Sequence, residues 1–149
     1  MRIIFLDVDG VLNSRESWST TCVGKGSKRL DPALCARLVR LVAETGAKIV
    51  VSSTWRLYDD HLLALKRGLH ECGLEPGTII GETDQDNSGV RGAEINDWVV
   101  RHGITSFVIL DDDRDMEPHM DRLVKTTWEQ GLQDAHCAEV VRLFAGVKE

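Results

Sequence analysis

The chain opens with an unbroken apolar run, Ile3-Ile4-Phe5-Leu6, that ends on two carboxylates one residue apart, Asp7 and Asp9, with Gly10 behind them. No other stretch restricts the fold as much. A short run of large apolar residues without polar alternation suits a strand covered on both faces, as in a parallel sheet. Open α/β sheets place their chemistry at the carboxyl ends of such strands. On an extended backbone Asp7 and Asp9 would share a face, and Gly10 permits a sharp turn after them.

Two later stretches repeat the arrangement. Lys48-Ile49-Val50-Val51 runs into the hydroxyls Ser52 and Ser53, and Ser106-Phe107-Val108-Ile109-Leu110 runs into Asp111-Asp112-Asp113. A helix is expected from Asp31-Pro32, a capping aspartate before a proline at the first helical position, to Gly46. Further helices are expected over about 59–72, from Arg91 to near Gly103, over a short segment at about 118–123, and from Asp134 to Gly146. Short strands are expected at 78–80 and 124–127. Strands that alternate with helices predict a single α/β domain over residues 1–149, built on a five-stranded parallel sheet. The 149 residues suffice for a real core, and 42% hydrophobic with 28% charged content is ordinary for a globular chain.

A net charge of −6 disfavours a broad nucleic-acid-coating surface but leaves room for a local basic patch. Such a patch falls in residues 14–30, where Arg15, Lys25, Lys28 and Arg29 face only the acid Glu16. This segment reads either as a solvated loop or as a flap that steers phosphate, with Lys25 as its candidate substrate contact. Cys22, Cys35, Cys72 and Cys137 form no C-x-x-C and have no histidines at zinc spacing, so they read as reduced and mostly structural. The apolar start is too short for a signal peptide and no segment is long enough to span a bilayer, so a cytoplasmic protein is expected.

All strand ends of a parallel sheet lie on one edge, so Asp7, Asp9, Ser52, Asp111 and Asp112 are expected to converge there, with Arg91 just upstream of the last pair. Hard oxygen ligands of this kind suit Mg2+, which takes one or two carboxylates and completes its shell with water and substrate phosphate. Arginine and a hydroxyl would hold the remaining phosphate oxygens. Ser53 stands as a substitute for Ser52. Arg56 suits either a substrate contact or a helix-start ion pair, and Asp113 and Asp115 either extra ligands or solvated acids. Trp18, Trp98 and Trp128 suit either base stacking or packing, with packing favoured for Trp98 by its helical spacing from Ile95.

Over nearly its whole length the chain resembles the haloacid dehalogenase superfamily. Asp7-Val8-Asp9-Gly10-Val11 is similar to the first motif, Ser52 to the hydroxyl of the second, Arg91 to the basic residue of the third, which is usually lysine, and Asp111-Asp112 to the metal carboxylates of the fourth. The resemblance implies a Rossmann-like domain whose first aspartate, Asp7, is a nucleophile and whose second, Asp9, is a general acid/base. Asp7, Asp9, Asp111 and Asp112 are the implied metal set, Ser52 and Arg91 steady the phosphoryl group, and Gly10, Ser53, Arg56 and Lys25 are candidate substrate contacts. Family dehalogenases lack the second acid, which favours a phosphatase. S-S-T-W-R, R-G-x-E-I-x-x-W and I-L-D-D-D look similar to the domains of Swiss Army Knife RNA-repair proteins and to the phosphatase half of polynucleotide kinase-phosphatases. Residues 14–30 are too few for a cap domain with its own core, which implies an open site and a large substrate, a phosphorylated nucleic-acid end foremost. A phosphatase of small phosphorylated metabolites is the nearest alternative. A phosphorylation-switched receiver module would share the architecture, but its acid pair follows the first strand and its acceptor the third, the reverse of the order here.

Overall fold

The computed structural model describes residues 1–146. Five strands, β1 (Arg2–Leu6), β2 (Lys48–Val51), β3 (Ile79–Glu82), β4 (Ser106–Asp111) and β5 (Leu123–Lys125), form one parallel sheet in the order β3-β2-β1-β4-β5. Four helices flank it: α1 (Pro32–Thr45), α2 (Asp59–Glu71), α3 (Arg91–His102) and α4 (Asp134–Gly146). The parallel-sheet α/β architecture expected from the alternating pattern is therefore the one observed, and it is Rossmann-like, as the resemblance implies.

The apolar runs become central strands because both faces of the sheet are covered. Ile4, Leu6, Ile49, Val51, Val108 and Leu110 pack with Leu38 and Leu41 of α1, Leu65 and Leu69 of α2, and Val140 and Phe144 of α4. The alternate residues Ile3, Phe5, Val50, Phe107 and Ile109 pack with Ile95, Trp98 and Val99 of α3. Helix ends follow the expected chemistry. Asp31 accepts a hydrogen bond from the Ala33 amide at 2.9 Å, and Gly46 closes α1 at φ 70°.

Three boundaries differ from expectation. The third strand extends to Glu82. The fifth ends at Lys125, leaving Thr126 and Thr127 outside it. The segment near 118–123 forms only a 3-10 turn at Met120–Arg122, because its amides reach carbonyls three residues back, as in Arg122 to His119, and build no α-helical ladder. Residues 14–30 hold one antiparallel bridge, Val23 to Leu30, and a 3-10 turn at Gly26–Lys28.

The strand order sets the place of the site. The chain leaves β1 toward β2 and β3, then crosses to β4 and β5 on the other side, so the topological switch lies between β1 and β4. The crevice outside those two carboxyl ends is where open sheets bind ligands.

Candidate active site

Asp7 and Asp111 stand at the switch point. The Asp7 amide continues the ladder to the Leu110 carbonyl, and the Ser52 amide donates to the Leu6 carbonyl, both at 3.0 Å. Strand alternation carries Asp7, Ser52 and Asp111 onto the α3 face, the face of Phe5, Val50 and Ile109. Arg91, the first residue of α3, meets them there: its Nη1 lies 2.6 Å from Asp111 Oδ2 and 3.2 Å from Asp7 Oδ1. Gly92 makes that approach possible. Its amide donates to the Asp115 carbonyl, and a Cβ at this position would sit 2.3 Å from the Glu117 carbonyl oxygen.

Among the described residues, carboxylate oxygens of Asp7, Asp111 and Asp112 lie within 4.8 Å of one another. Burial raises the Asp7 carboxyl well above the usual carboxylate range, and the neighbouring Asp111 charge adds to it while Arg91 opposes it. Asp111 is raised by burial, and Asp112 by burial and by Asp111. One guanidinium cannot balance three carboxylates. The hard, anionic donor set and its uncompensated charge fit a divalent cation.

Gly10 makes room for this cluster. It turns at φ 83°, and a Cβ there would lie 2.2 Å from Asp112 Oδ2, so the missing side chain is what lets Asp112 in. The turn is secured by Thr126, whose hydroxyl donates to the Gly10 carbonyl at 2.6 Å.

Asp9 departs from the expected metal set. The chain turns at Val8, whose carbonyl accepts from Val11 and Leu12, and the Asp9 carboxylate ends outside the trio. Asn13 Nδ2 donates to its Oδ1 at 2.9 Å and Trp55 Nε1 to its Oδ2 at 3.2 Å. Asp9 is thus an exposed, oriented carboxylate beside the cluster, two residues from Asp7.

The two serines separate cleanly. Ser53 Oγ accepts from the Trp55 amide at 3.1 Å and caps the 3-10 turn Thr54–Leu57. Ser52 Oγ is buried with no hydrogen-bond partner among the described residues, as are Thr83 Oγ1 and Ser106 Oγ.

Arg56 and Lys25 do not bond to the acidic trio, although Arg56 lines a depression beside Arg91. Arg56 is buried and spends its donors on the carbonyls of Thr83, Ser52 and Ser53 and, at 3.0 Å, on Glu94. It braces β2, β3 and α3. Lys25 lines a depression with Gly24, Asp60 and Arg67 that contains none of the acids. The basic field of residues 14–30 is also partly spent: Lys28 pairs with Asp60 at 3.2 Å, and Arg29 donates to the Trp18 carbonyl and covers the Trp18 ring. Asp113 and Asp115 are exposed, and the Asp113 carboxylate accepts from the Arg114 amide. Trp98 is core, edge-on to Phe5, while Trp18 and Trp128 pair with each other.

Replacing Arg56 with Ala is expected to unseat the whole edge. The side chains of the ion pair are 4% and 7% exposed, so deletion leaves Glu94 buried without its counter-charge, at a cost of about 3–5 kcal/mol. For a chain of this size that lowers Tm by roughly 10 °C. A variant that melts like the parent and loses only substrate affinity would return Arg56 to a binding role.

These residues lie within the span of one family model. The model for the HAD domain in Swiss Army Knife RNA repair proteins matches residues 3–137, from β1 into α4. The chain belongs to this family. Neither a curated protein nor a solved structure matches it. As a HAD domain it is, in general terms, a hydrolase of the phosphatase type that acts on a phosphorylated substrate, and such domains generally use a divalent metal. No helix among the described residues is long and apolar enough to cross a membrane.

Proposed function

We propose that this HAD domain is a Mg2+-dependent phosphomonoesterase that works through an aspartyl-phosphate on Asp7. The observation that carries the reading is the division of labour at the end of β1. Asp7 lies in the acidic trio under Arg91, while Asp9 is held apart by Asn13 and Trp55 with its carboxylate toward solvent. In this reading one carboxylate attacks phosphorus and the other handles a proton.

In the first step an Asp7 oxygen forms a bond to phosphorus as the bond to the ester oxygen breaks, and Asp9 gives that oxygen its proton. In the second, water attacks the phosphoryl group, Asp9 takes the water's proton, and Asp7 is released with inorganic phosphate. Arg91 and the Ser52 hydroxyl bear on the equatorial oxygens, where charge is concentrated. Asp7, Asp111 and Asp112 would hold Mg2+, which supplies charge stabilisation for the transferring group.

The substrate we favour is a phosphorylated nucleic-acid end, in a cytoplasmic setting, with the whole chain acting as one catalytic unit. The family's RNA-repair context supports this, as does the small extent of residues 14–30, which add a bridge and a turn over the site but no enclosing domain. The deciding comparison is kcat/KM for a 3′-phosphorylated oligonucleotide, a 5′-phosphorylated one, a nucleoside monophosphate and a sugar phosphate. The oligonucleotides are expected to lead. A preference of about a hundredfold for the sugar phosphate, some 2.7 kcal/mol of transition-state discrimination, would instead assign a metabolite phosphatase.

A further inference from the structure

We infer that the cleft on the solvent side of Asp9 seats the nucleoside that carries the phosphate, with Tyr58 as its stacking face; this rests on the phosphatase reading above. The cleft encloses about 320 Å3 and is lined by Asp9, Ser27, Thr54, Trp55, Tyr58 and His61. If Asp9 protonates the leaving oxygen, whatever that oxygen is attached to must extend from the Asp9 carboxylate. Asp9 lines this cleft. A larger cavity of about 500 Å3 between α1 and α2 contains none of the acids.

The cleft is built from rings. Trp55, whose indole bonds to Asp9, meets His61 edge-on at 5.2 Å between centroids, and Tyr58 lies 5.5 Å from His61 on its outer side. Tyr58 is 58% exposed, a large aromatic side chain presented to solvent at the entrance. Its backbone is fixed, with its amide donating to the Trp55 carbonyl and its carbonyl accepting from Leu62. His61 is held on both sides, 2.9 Å from Ser27 Oγ through Nε2 and 3.2 Å from Asp60 Oδ1 through Nδ1. Lys28 reinforces that link by pairing with Asp60, which ties the Gly26–Lys28 turn to the start of α2.

These features specify a ligand class. A preformed aromatic face takes the π-face of a base without regard to its identity. The hydroxyls of Ser27 and Thr54 give the cleft a polar edge of the kind that reads a heteroaromatic ring and finds nothing to bind on a phenyl group. The volume sits at the small end of ligand pockets, room for one nucleoside and not for a base pair. The expected occupant is a single, unpaired terminal nucleotide.

The test is binding to the Asp7→Asn protein in Mg2+, measured calorimetrically for adenosine 3′-monophosphate, ribose 5-phosphate and phosphotyrosine. The nucleotide is expected to bind about tenfold more tightly than ribose 5-phosphate, in line with one base–aromatic contact. Adding Tyr58→Ala should erase that advantage, and adding Tyr58→Phe should keep it. In the protein with Asp7 intact, Tyr58→Ala should lower kcat/KM for the nucleotide about tenfold more than for ribose 5-phosphate. Equal affinity for nucleotide and ribose 5-phosphate, no binding of either, or phosphotyrosine binding as tightly as the nucleotide would overturn the assignment. Should the protein hydrolyse none of these esters and neither phosphorylated oligonucleotide, the phosphatase reading fails, yet the binding comparison still decides what the cleft takes.

Discussion

Asp7→Asn is expected to lower kcat by roughly a thousandfold or more while making the metal-free protein more stable. The loss follows from removing a nucleophile, which no neighbouring group replaces: Asp111 is tied to Arg91 and the Asp113 amide, and Asp9 lies outside the cluster. Retention of a tenth of the parent turnover would dismiss Asp7 as nucleophile.

The gain in stability has a definite sign and a pH window. Burial and Asp111 raise the folded Asp7 carboxyl well above its ordinary value of 3.8, so between those two points the folded chain binds more protons than the unfolded one. Stability contributed by this group is therefore full below about the ordinary carboxylate range and falls as pH rises toward the folded value. An amide at position 7 has no such slope. The Tm difference between Asp7→Asn and the parent, both in EDTA, is expected to be small at acid pH and to grow toward neutrality, by about 2–4 °C for each kcal/mol of repulsion relieved. A difference that shrinks with rising pH would mean that Arg91 outweighs burial and the other two acids.

Removal of divalent metal is expected to abolish turnover and to lower Tm, and readdition of Mg2+ to restore both. Three carboxylates within 4.8 Å, each raised by burial, repel one another and would repel a phosphate dianion as well. Mg2+ at a hundred times its Kd should stabilise the fold by about 2.7 kcal/mol, and by much less in Asp7→Asn, which lacks one ligand charge. Full turnover in chelated buffer would contradict the site.

Much of this was legible before any coordinate. Asp7, Ser52, Asp111 and Asp112 could be placed on one edge because a buried strand announces itself as an apolar run, and parallel strands leave their ends together. Arg91 could be placed because the strand after it carries the acid pair. What stayed hidden depended on pairs distant in sequence. The hydrogen bond from Trp55 to Asp9 spans 46 residues and the one from Arg56 to Glu94 spans 38. Local pattern left Arg56 open to a substrate contact or a helix-start ion pair, and it could not name Glu94 as the partner. A clue lay in α3, where helical phase puts Glu94 one turn before buried Trp98, a position that demands a cationic partner. Asn13 and Gly92 sit beside legible motifs, but nothing in their spacing says that one orients Asp9 and the other leaves room for backbone that a Cβ would strike. The basic residues of 14–30 were counted correctly as charge. Their pairing with Asp60 and Trp18 could not be read from a count.

The covalent step on Asp7 is the claim on which the rest depends. It is tested most directly by acid-quenching Asp9→Asn protein during turnover of a substrate labelled in its phosphate, then mapping the label. Phosphate bound to the peptide that contains Asp7, stable to acid and released by hydroxylamine, is the expected result. Label on any other residue, or turnover that leaves no label on the protein in either Asp9→Asn or the parent, would contradict it.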